Sequence, residues 1–82
     1  MTVYFIGYNL AKPGQNAKTL WDALTGLGAK RVQESVWILR SNCTAAQIRD
    51  RLWQYIGISG RLLVVESTDW AAWNPMSDVK SV

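Results

Sequence analysis

Apolar and polar positions along this chain follow two different periods in turn. Residues 2–8, Thr-Val-Tyr-Phe-Ile-Gly-Tyr, are a run of β-branched and aromatic positions of strand length. Val3, Phe5 and Gly7 fall on one face and Tyr4, Ile6 and Tyr8 on the other. Both faces are largely apolar, which predicts a central strand. The period then changes: Ala17, Leu20, Leu24 and Leu27 recur at helical spacing, with Asn16 suited to the N-cap and Gly28 just past the C-terminus. Trp21 sits at the flank of that stripe. Residues 29–40 read as two short strands that turn near Gln33-Glu34, the second alternating Val36 and Ile38 with Trp37 and Leu39. From Thr44 the helical period returns. Thr44 and Gln47 fit a capping box, Ile48, Leu52 and Tyr55 form the inward stripe, Arg49, Asp50, Arg51 and Gln54 point outward, and Gly57 is placed to end the helix. Residues 61–67, Arg-Leu-Leu-Val-Val-Glu-Ser, make a last strand that is apolar on both faces.

The predicted order is β-α-β-β-α-β, an α+β chain of the split βαβ, ferredoxin-like kind. Right-handed crossovers then put both helices on one face of a four-stranded antiparallel sheet, with the first and third strands central. The expected domain is 1–69, followed by a C-terminal extension, 70–82. The other sheet face is expected to be bare although every strand offers it an apolar set. That predicts a homodimer through this face, with Trp70-Trp73 adding to the contact. Trp70 and Trp73 fit a fifth strand or a single helical turn, Pro75 stops any regular continuation, and the last seven residues are expected to be loose.

Composition sharpens this picture and removes some chemistry. In 82 residues, 49% hydrophobic and 18% charged, there are five tryptophans, so some apolar surface is expected to seek a partner. Nine Lys/Arg against six Asp/Glu give a net charge of +3, which permits contact with phosphates without demanding it. Cys43 is the single cysteine, which excludes an internal disulfide and a paired-thiolate metal site. There is no histidine, which removes the commonest general base and the usual zinc ligand. No signal peptide and no long apolar run are recognisable, so the expected location is cytoplasmic, without a membrane partner.

The stretch Leu-Gly-Ala-Lys-Arg-Val-Gln-Glu-Ser-Val-Trp-Ile-Leu, residues 27–39, followed by the capped helix that opens Thr-Ala-Ala-Gln-Ile-Arg-Asp-Arg-Leu, resembles the small subunit of the CRISPR spacer-acquisition machinery. Members of that family open with a strand ending in Tyr-Asp, matched here by Tyr8-Asn9, and continue with an Arg-Val-Gln-x-Ser-Val-Phe-like hairpin, matched by Arg31–Trp37. The likeness runs from residue 3 to residue 67 in order and spacing. The virulence-associated protein D toxins are a related resemblance. The resemblance implies a ferredoxin-like homodimer, metal-dependent nuclease activity in some members, and a DNA-binding structural role beside an integrase. It further implies that the metal is held by first-strand aspartates of two subunits. Here that position is Asn9, and a neutral amide is a poor substitute because magnesium prefers carboxylate and water oxygen. No metal site and no cofactor are therefore expected, and Mg²⁺ enters only under a nuclease reading.

Antiparallel pairing should gather Tyr8, Asn9, Lys12, Glu34, Ser35 and Arg61 at one edge of the sheet. Tyr8, Asn9 and Ser35 occupy the position of the family's catalytic site, with Glu34 the only carboxylate placed there. Asn9 also reads simply as a strand-ending residue that hydrogen-bonds its own turn, and Glu34 as a solvated hairpin residue. Lys12, Lys30, Arg31, Arg40 and Arg61 are the candidate nucleic-acid contacts, able to follow a DNA or RNA backbone without reading sequence. An ordinary soluble surface is the other reading of those charges. Among the tryptophans only Trp37, on a sheet strand, suits a stacking platform, and packing explains all five more simply. Two functions follow: a non-catalytic dimeric scaffold for nucleic acid or a protein partner such as an integrase or an antitoxin, and, as the alternative, a small metal-dependent endonuclease or a toxin-like endoribonuclease.

Overall fold

The computed structural model describes residues 1–10 and 17–79. Its elements are β1 (Thr2–Asn9), α1 (Lys18–Gly26), β2 (Lys30–Gln33), β3 (Val36–Ser41), α2 (Ala45–Leu52), a 3₁₀ turn (Trp53–Tyr55) and β4 (Arg61–Ser67). The strands form one antiparallel sheet in the order β2-β3-β1-β4. This is the ferredoxin-like arrangement expected from the periodicity, with β1 and β3 central. The α1 stop follows from Gly28, whose φ of 92° lies in the left-handed region open to glycine. The start of α2 is the expected capping box: Thr44 Oγ1 accepts from the Gln47 amide at 3.1 Å, and the Gln47 side chain accepts from the Thr44 amide at 2.8 Å. The N-cap expected at Asn16 lies outside the described residues.

The alternation in β1 sorts its side chains as expected. Tyr4, Ile6 and Tyr8 are buried toward the helices, against Leu20 and Leu24 of α1, Ile48 and Leu52 of α2, and Trp37 and Leu39 of β3. Each fully buried aliphatic side chain there contributes about 1.5–3 kcal/mol. Tyr4 reaches through this core to donate to the Cys43 carbonyl at 2.8 Å, tying β1 to the start of α2.

The opposite sheet face departs from expectation. It is not bare, because the chain's own C-terminal segment crosses it. The Ser67 hydroxyl donates to the Asp69 carbonyl as the segment leaves β4. Trp70 then packs edge-on against Phe5, with ring centroids 5.4 Å apart at 78°. The chain turns at Asn74, whose φ of 53° is one that asparagine tolerates. The Met76 amide donates to the Val32 carbonyl at 3.0 Å, and Val79 is buried with Val32 and Ile38. Around Trp70 and Trp73 the segment forms neither a fifth strand nor a helical turn, and up to Val79 it is seated, not loose, while 80–82 lie outside the described residues. The reason is the apolar set Val3, Phe5, Val32, Val36 and Ile38, which finds its cover within the same chain. What stays open on that face is the β4 side, where Leu63 and Val65 remain exposed.

Candidate functional site

At the end of β1 the sheet opens into a groove of about 380 Å³. Gly7, Tyr8 and Asn9 of β1 line it with Ser35 and Val36 of the hairpin and Arg61, Leu62 and Leu63 of β4. The register explains the gathering. Asn9 is the cross-strand partner of Arg61, and Gly7 is flanked by Val36 and Leu63. Direct partners share a sheet face, so Asn9, Arg61, Leu63 and Val36 lie on the face away from the helices. The absence of a side chain at Gly7 leaves the floor low. Gly60 brings the loop after α2 over this end of the sheet. A Cβ there would stand 2.7 Å from the Ile56 carbonyl oxygen and 3.0 Å from that of Asn9, so only glycine fits the approach.

Behind the groove, on the helix side, the hairpin turn is anchored by one carbonyl. The Glu34 carbonyl accepts from the Tyr8 hydroxyl at 3.2 Å and from Arg31 through Nε at 3.0 Å and Nη2 at 2.6 Å. The Tyr8 hydroxyl in turn accepts from Trp21 Nε1 at 2.6 Å, and the Arg31 guanidinium lies over the Trp21 ring, 4.5 Å from its centroid. The Tyr8 amide donates to the Ser35 carbonyl at 3.2 Å. Tyr8 thus holds the hairpin in place with an oxygen already engaged on both sides. Trp21 was legible only as a helix-flank residue. Its signal as a hydrogen-bond partner was the indole N–H itself, which a half-buried tryptophan normally satisfies.

The structure brings Tyr8, Asn9, Ser35 and Arg61 together at one edge, as expected from the pairing. Glu34 is in the adjoining turn, but its residue does not line the groove. Lys12 lies outside the described residues. The other cations do not form one ridge. Arg31 is on the helix face, held by Trp21 and the turn. Lys30, Arg40 and Arg61 share the outer face but are spread over β2, β3 and β4, with Arg40 opposite Val3 at the far end of β1 from Arg61. Trp37 is buried at 6% exposure, which removes it as a stacking platform, and its indole N–H has no partner among the described residues. Packing explains Trp21, Trp37 and Trp70. Trp53 and Trp73 stand exposed, so core packing does not explain those two.

Among the described residues no cluster of three or more His, Cys, Asp or Glu side chains could hold a metal ion. The groove offers an amide, a hydroxyl and a guanidinium, a donor set unfit for a magnesium ion. No helix among those residues is long and apolar enough to cross a membrane. No protein-family model matches the chain, and no solved structure matches it significantly.

Proposed function

We propose that the chain is a cytoplasmic, dimeric scaffold without nuclease activity, built like the small subunit of CRISPR spacer acquisition and binding a nucleic-acid backbone or a protein partner. The observation that carries this reading is the groove at the end of β1, where Asn9 and Arg61 stand cross-strand and no carboxylate lines the wall. Such a surface suits a phosphate or a peptide carboxylate better than a divalent cation, because arginine presents a fork of N–H donors to oxyanions. The Tyr8 hydroxyl is spent on Trp21 and the Glu34 carbonyl, which argues against tyrosine-based cleavage in the toxin-like alternative.

The test is an assay on RNA and duplex DNA with Mg²⁺ or Mn²⁺. Wild type is expected to show no cleavage above background. Cleavage abolished by EDTA and by Asn9→Ala would overturn the reading and make Asn9 a working ligand. A ribonuclease indifferent to EDTA but lost on mutating Ser35 or Lys12 would establish the alternative instead.

A further inference from the structure

The two edges of the sheet are treated differently. At the β2 edge the strand is short and bulged between Arg31 and Gln33, and the C-terminal segment pairs with it through the Met76 amide. β4, at the other edge, is seven residues long and among the described residues pairs only with β1, without register shifts. It has no proline, no lysine and no bulge, three of the devices that keep an edge from pairing, and its charges, Arg61 and Glu66, stand near its two ends. Among the described residues no backbone hydrogen bond reaches its outer side. Leu63 and Val65 are exposed on the outer face at 64% and 44%. On the helix face a groove of about 220 Å³, lined by Ala45, Ala46 and Arg49 of α2, runs along the same strand.

We infer that β4 pairs antiparallel with β4 of a second copy, fusing two sheets into one of eight strands, with Glu66 of each copy seated at Arg49 of the other. The register that aligns the whole strand with itself places Arg61 opposite Ser67, Leu62 opposite Glu66 and Leu63 opposite Val65, with Val64 on the two-fold axis. Odd positions then meet odd positions, so Leu63 and Val65 of both copies form one apolar patch on the outer face. Glu66 belongs to the helix-facing set, since its partner in β1 is Tyr4. Opposite Leu62 it falls at the groove that Leu62 and Arg49 line together. The small side chains of Ala45 and Ala46 leave the room. Arg49 also donates to the neighbouring Asp50 at 3.0 Å, and its guanidinium has further donors for the incoming carboxylate. The charge match is made twice by the symmetry, and it selects the antiparallel alignment over the parallel one.

This inference rests on the dimeric part of the proposed function and fixes its geometry. It departs from the arrangement the resemblance implies, in which first-strand positions of two subunits face one site, because it keeps the two Asn9 apart. They are separated by three strand spacings across the sheet, about 14 Å, and by six residues along it, about 20 Å, so they share no site.

Sedimentation equilibrium of the full chain across a concentration series tests it. Wild type is expected at twice the 9.2 kDa of one chain. Glu66→Arg or Arg49→Glu should each raise the dissociation constant about tenfold by placing like charges together, while Arg49→Glu/Glu66→Arg should return it to within about threefold of wild type. Val65→Lys should weaken the dimer as a lysine on an edge strand does. All these positions are exposed, so circular dichroism should be unchanged. A monomeric wild type would overturn both this inference and the dimeric reading. A wild-type dimer indifferent to Glu66→Arg, or a double variant no tighter than the single ones, overturns the edge pairing alone.

Discussion

The Tyr8 hydroxyl stands between the Trp21 indole and the Glu34 carbonyl, so one oxygen couples β1, α1 and the hairpin turn. Tyr8→Phe removes it and strands the Trp21 indole N–H in a part-buried setting, while the Glu34 carbonyl keeps its two bonds from Arg31. The expected loss is about 1–3 kcal/mol, read as a lower urea midpoint with an unchanged slope. The neighbouring residue behaves differently. Asn9→Asp puts a carboxylate cross-strand from Arg61, where it meets a cation. An exposed pair of this kind is worth about 0–1 kcal/mol, so stability should barely change. No cleavage should appear, and the melting temperature should not respond to Mg²⁺. A rise in melting temperature with Mg²⁺ would mean that the carboxylate alone recruits the ion. The place of these residues was legible from strand pairing. The use of Tyr8 was not, because the pattern of apolar positions says which face a tyrosine takes but not what its oxygen meets.

At the scale of elements, the caps and the two helices follow local rules that sequence expresses well. Thr44→Ala breaks the reciprocal pair with Gln47 and should cost about 1 kcal/mol, checked by thermal unfolding. The C-terminal segment was legible only in part. Pro75 marked where regular structure stops, but the strand or helical turn expected at Trp70 and Trp73 does not form, and the segment's seating depends on residues more than 30 positions away in sequence, Phe5, Val32 and Ile38, which no local pattern encodes. Ending the chain after Asp69 should therefore uncover Val3, Phe5 and Ile38. The expected outcome is a lower melting temperature together with increased binding of a hydrophobic dye. An unchanged melting temperature would mean that the segment adds nothing to the fold.

At the scale of the whole molecule, the strand order followed from the order of elements and the handedness of their crossovers, since a βαββαβ chain with right-handed connections has few other sheets available. The distribution of charge did not follow, because cations adjacent in a sequence-based picture are separated by strand register and face. This separation shapes the expected nucleic-acid binding. Lys30, Arg40 and Arg61 share the outer face but not a line along it, and the segment laid over that face carries exposed Asp69 and Asp78. A duplex backbone would meet only a few phosphate contacts per chain, so binding should be weak, independent of sequence and lost steeply as salt rises from ~50 to ~200 mM. Arg61→Glu and Arg40→Glu are the informative variants, each expected to weaken binding across all sequences alike and to reduce the salt slope by about one. Arg31→Glu is not equivalent, since it also takes the guanidinium from the Glu34 carbonyl and the Trp21 ring and should lower the melting temperature as well. Filter binding with a labelled duplex at several salt concentrations measures the first effect, and thermal unfolding separates the second. Affinity that stays constant with salt would exclude a phosphate-based contact and leave a protein as the partner of this surface.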